Sequence, residues 1–456
     1  MSALSFRPLI ILVLMAFAES AVTADSASSL AWHESTEIAA GRGERGPWQQ
    51  NQSRYDYVDD PTIAMNDRGE TAVAWVEQAR KDVFFQRFSA DGTKQLDQPI
   101  NVSRSPATFS WLPRIVIAPD APQTIFILWQ EIIFSGGSHG GEILFSRSND
   151  GGNSFSKPVN ISNSIGGDGK GRINSKTWHN GSLDLVAADK GVLYAAWTEY
   201  DGQLWFSRST DGGKIFSRPR HIAGGGNANP ARAPSMALGP GGVVYLAWTI
   251  GEDDGADIHL AKSTDGGTRF SEPQLVAPSE NYSDAPKLAV DSGGTLHLVY
   301  AESSGGPLAR YHVRYTRSAD GARRFDIARD ISRPMPQSVE STAFPALGVD
   351  AQDNLYVVWE LFYDARQPPR GLGMTVSRDG GKHFTQPSVV PDSSDLAGGF
   401  NGSHQGLLMK KLAVNRGGAM AIVNSSLKQN EHSRVWMMRG EIQAGPAGFG
   451  TPTSAR

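Results

Sequence analysis

Ser209-Thr210-Asp211-Gly212-Gly213-Lys214-Ile215-Phe216 decides the fold of this chain, because the stretch does not stand alone. The same Ser-x-Asp-Gly-Gly-x-x-Phe pattern runs from Ser148 to Phe155, from Ser263 to Phe270 and from Ser377 to Phe384. Ser318 to Phe325 carries Ala322 in place of the second glycine, and Ser89 to Leu96 is a weaker copy. The copies recur about every 50 to 60 residues, and self-similarity at a fixed period marks a repeat architecture. Each copy has the chemistry of a tight reversal between two strands. Glycine supplies positive φ at little steric cost, the Ser and Asp side chains can hydrogen-bond turn backbone groups, and the Phe can pack between sheets. On that reading the aspartates of the pattern are structural and not catalytic.

The same strand grammar surrounds every copy. Two short β-rich runs come first, such as Lys287-Leu288-Ala289-Val290-Asp291 and Thr295-Leu296-His297-Leu298-Val299-Tyr300. An aromatic residue closes the second run in six units, at Trp75, Trp129, Trp197, Trp248, Tyr300 and Trp359. A third run enters the turn, as in His259-Leu260-Ala261-Lys262, and a fourth leaves it, as in Pro273-Gln274-Leu275-Val276. Four short strands per unit, Gly-rich turns and no long helical periodicity predict an all-β chain built as a β-propeller.

Counting units gives seven blades, with six blades plus additions as the alternative. The last unit, from about Lys411 to Ile442, lacks the turn motif and a fourth strand. The segment from Trp32 to Ala39 has the shape of the segment from Phe270 to Ala277, so the N-terminus can supply the missing strand beside Val435-Trp436-Met437. Closure of that kind removes an open sheet edge. The chain divides into an N-terminal signal segment (1–24), a single propeller domain (25–442) and a C-terminal tail (443–456).

Composition narrows the function classes. Of 456 residues, 43 are Lys or Arg and 47 are Asp or Glu, and the net charge of −4 gives no electrostatic case for nucleic acid. With no Cys there is no disulfide, thiol nucleophile, Cys-ligated zinc or iron–sulfur site. Arg7, the apolar run Leu9 to Ala18 and the small residues Val22-Thr23-Ala24 read as a cleavable export signal, too short to span a bilayer. Asn-x-Ser sequons occur at seven asparagines, but a Cys-free exported chain of this length points to a bacterial periplasmic or secreted protein, where they are turn chemistry. A monomer is expected.

The Ser-x-Asp-x-Gly-x-x-aromatic turn resembles the Asp box, or bacterial neuraminidase repeat, of the sialidase superfamily, over nearly the whole mature chain. The resemblance implies a β-propeller directed at carbohydrate, by glycan binding or exo-glycoside hydrolysis. Sialidases hold the substrate carboxylate with three arginines, attack with a Tyr activated by a Glu, and use an Asp as acid/base. Pro113-Arg114-Ile115 looks like the first arginine strand of that family, and Tyr282-Ser283-Asp284 looks like its Tyr-Ser nucleophile motif. The resemblance therefore makes Arg114 and Tyr282 the catalytic candidates. The match is partial. Ile132 and Ile133 stand where a second Arg is expected, the loop Ser135 to Gly141 has His139 and no Asp, and Arg232-Ala233-Pro234 replaces the family's Asn-Glu-Pro.

Propellers bind ligands on the face formed by the fourth-to-first and second-to-third strand loops, opposite the turn motifs. The substrate-binding candidates on that face are Trp111, Trp178, His179, Arg232, Asp284 and Lys287, with Asp59, Asp60, Glu340, Phe344, His404 and Lys410 nearby in the same loops. Exposed aromatics beside carboxylates and amides suit sugar rings, although aromatics packed between blades would have the same sequence signature. His139, His179 and His404 share no metal-ligand spacing, so no metal and no cofactor are expected. The loop Glu252-Asp253-Asp254 reads as a solvated acidic turn, and the Gly-rich insertion Ile165 to Asn180 as a reshaped funnel rim. A non-catalytic periplasmic scaffold binding a protein on the funnel face is the alternative function, and a metal-dependent enzyme a third.

Overall fold

The computed structural model describes residues 30–443 except 50, 133–140, 164–169, 175–176, 181–182, 200, 226–229, 253–254, 308, 336–337 and 403–408; within 170–180 it describes backbone only. The signal segment, most of the C-terminal tail, and His139 and His404 lie outside the described residues. The segment Trp32–Glu441 forms one compact unit that contains seven antiparallel blades. Apart from two one-turn 3₁₀ segments, Asp189–Gly191 and Pro240–Gly242, the regular structure among the described residues is strand. No helix among them is long and apolar enough to cross a membrane.

The innermost strands are Val58–Met65, Phe109–Ala118, Leu183–Ala188, Ala231–Gly239, Tyr282–Val290, Ser341–Val349 and Leu412–Val414, for blades one to seven. In blade five, for example, Tyr282–Val290 pairs Leu296–Ser303, which pairs His312–Ser318, which pairs Arg329–Asp330. Blade seven takes its outer strand from the start of the chain. Thr36–Gly41 pairs the strand His432–Ile442, with Thr36 opposite Met437, Glu37 opposite Trp436 and Ala39 opposite Val435. The ring thus closes by hydrogen bonds between segments about 400 residues apart in sequence.

Aromatic residues that close the second strand fill the seams between blades. Trp75, Trp129, Trp197, Trp248, Tyr300 and Trp359 are each at most 1% exposed. The repeated turns are built as their residue types dictate. In Ser263 to Phe270, the Ser263 hydroxyl donates to Asp265 Oδ1 at 2.8 Å and accepts from the Gly267 amide at 2.8 Å, while Asp265 Oδ1 accepts from the Arg269 amide at 2.8 Å. The turns starting at Ser148, Ser209, Ser318 and Ser377 repeat this set. The closing Phe reaches the preceding blade and meets an aromatic ring edge-on, as in Phe155 with Phe85, Phe216 with Phe145, Phe270 with Phe206 and Phe384 with Tyr315, at centroid distances of 4.8–5.1 Å.

A second device between blades lies one residue before the turn serine. Arg147, Arg208, Lys262 and Arg317 each donate to a glycine carbonyl of the next blade's turn, at Gly212, Gly266, Gly321 and Gly380 respectively, over 2.5–2.9 Å. Arg439 of blade seven donates in the same sense to Ala90 O in blade one's turn at 2.8 Å. Five of the seven blades are therefore tied to the next by a cation placed on a turn carbonyl, a stronger bond than a neutral pair.

Candidate functional site

The first strands are longer than the apolar runs suggest, because each of five contains a bulge that hides its continuity. Asp60, Leu112, Ala233, Ala285 and Phe344 have φ of 50–57°, and each precedes a proline: Pro61, Pro113, Pro234, Pro286 and Pro345. The pairing register shifts around these residues in all five blades. A bulge inserts one extra residue and turns the strand, and proline there leaves no amide unsatisfied. Tyr282, Asp284 and Trp111 accordingly lie within the innermost strands and not ahead of them. The bulge residues touch one another around the axis: Ala233 packs on Ala285 and Phe344, and the Leu112 amide donates to Asp60 Oδ2 at 3.3 Å.

The repeated bulge gives the candidate residues common addresses. One residue before it stand Asp59, Trp111, Arg232 and Asp284; two residues after it stand Thr62, Arg114, Ser235, Lys287 and Ala346. The first set makes contacts between blades. Arg232 Nε donates to Asp284 Oδ1 at 3.2 Å and its Nη2 to the Tyr282 hydroxyl at 2.6 Å; Thr249 donates to Asp284 Oδ1 at 3.0 Å, and Tyr282 to Asp284 Oδ2 at 3.3 Å. The ring of Tyr311 meets that of Tyr282 edge-on at 6.0 Å. Burial, reinforced by the Asp284 charge, raises the Tyr282 phenol far above its ordinary range. Tyr282 is 1% exposed and Arg232 0%, so the cluster locks blade four to blade five. Trp111 Nε1 donates to Gln78 Oε1 at 3.1 Å, and Gln78 in turn donates to Asp59 Oδ1 at 2.9 Å. Over Trp111 and Phe109 leans Trp48, 48% exposed, an aromatic that sequence reasoning missed because the hairpin carrying it lies outside the repeat.

The second set faces the axis. Arg114, Lys287 and Lys410, from blades two, five and seven, lie in electrostatic range of one carboxylate from blade three, Asp184. Arg114 is buried, with Nε donating to Leu183 O at 3.0 Å and Nη1 to Pro113 O at 3.0 Å; Lys287 and Lys410 are half-buried. Burial pushes the Arg114 guanidinium down to about 10 and the Lys287 ammonium down to about 8, and it lowers Lys410 too. For Lys287 the nearby Arg114 and Lys410 charges deepen the effect against the opposing pull of Asp184. Asp184 is itself engaged, accepting from the Met236 amide at 2.7 Å. Toward the turn face the axis continues as a channel of about 370 Å³ lined by apolar residues of all seven blades, with Lys410 at its wall.

The structure thus brings together Arg232, Tyr282 and Asp284, and separately gathers Arg114, Lys287 and Lys410 at the axis; Trp111 belongs to the blade one–two seam. Trp178 and His179 lie on a strand, Thr177–Asn180, paired to Lys170–Asn174 in the insertion, and their side chains are outside the described residues. Lys411, next to Lys410, is buried and ion-paired with Glu360, whose other oxygen accepts from Asn401 Nδ2 at 2.6 Å. Two of the axial cations, Arg114 and Lys287, carry a faint sequence signal, a cation two positions after an x-Pro bulge, which the glycine-rich turns outshine.

No protein-family model matches the chain, and no curated protein matches it. Solved structures share the fold. An ulvan lyase of a polysaccharide lyase family, bound to -[GlcA(1-4)Rha3S]-, is 13% identical over 84% of this chain and 94% of its own, with a TM-score of 0.54. The polysaccharide lyase Uly1 is 12% identical over 90% and 99%, also at 0.54. A Hadza microbial sialidase is 12% identical over 71% and 66%, at 0.43.

Proposed function

We propose that this propeller is a carbohydrate-directed protein that binds an anionic saccharide at its funnel mouth. The reading rests on one observation: three cations, Arg114, Lys287 and Lys410, converge on the axis around the carboxylate of Asp184, which acts on all three, while Asp60 also acts on Arg114 and Asp284 on Lys287. Cations held at reduced exposure act through a lower effective dielectric than free surface charges, so an incoming carboxylate or sulfate gains more there than at the outer surface. The resemblance of the repeated turns to the sialidase superfamily points to the same ligand class. The ulvan lyase that shares the fold was solved with a ligand containing GlcA and Rha3S, an anionic saccharide.

Binding without sialoside turnover fits the remaining geometry. A sialidase-type reaction would need Arg114 to fork the sugar carboxylate and Tyr282 to attack the anomeric carbon. The Tyr282 hydroxyl is held between Arg232 and Asp284 inside a blade seam, and the Arg114 guanidinium spends donors on backbone carbonyls. Export to the periplasm or beyond, carried by the apolar run Leu9 to Ala18, belongs to the same proposal and is checked by sequencing the mature N-terminus.

The test is calorimetric titration with sialyllactose, oligogalacturonates, heparin-derived oligosaccharides and neutral malto-oligosaccharides, at low and high salt. The expected result is salt-sensitive binding of at least one anionic series, no binding of the neutral series, and loss of binding in Lys287→Met. Equal affinity for neutral and anionic saccharides, or none for any of them, overturns the reading. Hydrolysis of a sialoside that disappears in Tyr282→Phe would instead establish an enzyme.

A further inference from the structure

Away from the axis, on the same face, a cleft of about 550 Å³ opens between blades six and seven and the N-terminal hairpin. Its volume falls within the range of about 300–1,000 Å³ usual for ligand sites. The floor is apolar, made by the half-buried rings of Phe362 and Phe400 with Leu427. The lining cations come from three separate segments: Arg45 from the hairpin, Arg366 from the second-to-third-strand loop of blade six, and Lys428 from the corresponding end in blade seven. The Arg370 guanidinium, outside the lining, lies over the Phe400 ring 4.2 Å from its centroid. Two carboxylates answer them: Asp364 accepts from Arg366 at 3.2 Å, and Glu431 pairs Lys428 at 2.6 Å. Both pairs are partly solvent-exposed, so water screens them and they hold the cations only weakly.

We propose that this cleft is a second subsite for the same anionic oligosaccharide, receiving sugar units beyond the one held at the axis. The proposal rests on the function proposed above. Flat apolar rings below and cations at the rim match a uronate or sulfated sugar, which offers a ring face and a negative edge. The cleft also touches the axis through bonded side chains. Asn401 lines it and donates to Glu360, and Glu360 pairs with Lys411, the neighbour of Lys410.

Chain-length dependence tests this. Affinity is measured by calorimetry for oligogalacturonates of increasing length and for heparin-derived oligosaccharides, using the folded wild type, Arg45→Glu, Lys428→Glu and the double variant, with thermal unfolding as the check on folding. Wild type should bind longer oligomers more tightly than the monosaccharide. The double reversal should weaken the long oligomers by about tenfold and leave the monosaccharide unchanged. The carboxylated and sulfated series separate the two anionic chemistries, and either one behaving this way supports the subsite. If wild type binds the monosaccharide but gains nothing with length, or if the double variant keeps the gain, the subsite is overturned while the axial reading stands. If no anionic saccharide binds wild type at all, the axial reading fails first and takes this one with it. Tight binding of tetraglutamate in place of any saccharide would overturn it in favour of an acidic peptide. Raised salt supplies a readout independent of mutation: the length-dependent gain should vanish as ionic strength increases, and a gain indifferent to salt also overturns the proposal.

Discussion

Lys287 shows how a single address on a repeated strand can take the binding role proposed for it. Ser235, the equivalent residue one blade earlier, spends its hydroxyl on the Leu288 amide at 3.1 Å, a structural duty. Lys287 instead projects a long cation toward the axis, where burial and its cationic neighbours lower its pKa to about 8. Anion binding that depends on this ammonium should therefore weaken as pH rises past about 8, because the charged form is the one that binds. Lys287→Arg keeps its charge to far higher pH and should flatten that decline. Titration of an anionic oligosaccharide across neutral to alkaline pH checks both, and an unchanged affinity through the range would remove Lys287 from the site. Tyr282 makes a contrasting case, since its hydroxyl accepts from a wholly buried guanidinium. Tyr282→Phe should cost about 1–3 kcal/mol of stability by taking an acceptor from a buried charged donor. Denaturant unfolding measures it, and a neutral effect would show that the seam does not need the bond.

The repeated turn is the element that carries most of the local stability argument. The serine inside it is buried and makes two bonds, one to the aspartate and one from the second glycine's amide. Ser263→Ala should destabilise by about 1 kcal/mol and leave saccharide binding by the folded protein unchanged, since the turns lie on the face opposite the funnel. Binding lost at full stability would show that this face also takes part in function. Asp265, Asp91 and Asp379 accept hydrogen bonds that hold their carboxyls at about 2, below the unfolded value. For a depressed carboxyl the stabilisation is present above the unfolded pKa and is lost as pH falls toward the folded one. Thermal stability should accordingly drop as pH falls from about 4 toward 2, and Asp265→Asn should show a smaller drop than wild type. Parallel pH profiles for the two proteins would discount the turn.

At the scale of the whole molecule, stability depends on closure. Without the strand Thr36–Gly41, the strand His432–Ile442 would present a long unpaired edge, and blade seven would lose its outer layer. A chain beginning at residue 42 should unfold at a lower temperature and associate at raised concentration; addition of a peptide spanning residues 30–41 should reverse part of the change. Gel filtration and thermal melts check this, and a truncated chain that melts like wild type would show that the cation-to-carbonyl ties between blades hold the ring by themselves.

Local repetition made the propeller, the blade count and the closing strand legible in the sequence. Turn chemistry acts over eight residues, and strand alternation over a few more, so a pattern such as Ser209 to Phe216 states its own conformation and its copies state the number of blades. The N-terminal match to Phe270 through Ala277 was legible for the same reason. The site was legible only as a set of funnel-side residues. Which of them meet is a property of the ring: Arg232 finds Asp284 52 positions away, and Arg114, Lys287 and Lys410 converge from blades two, five and seven. Bulges before Pro113, Pro234 and Pro286 break the alternation by one residue, so period-two reasoning assigns the wrong face just where the candidate side chains stand. Sequence therefore determined the repeating unit, because its forces are local. Tertiary structure alone decided which charges are buried together, because burial and electrostatic coupling depend on distances that only the closed ring sets.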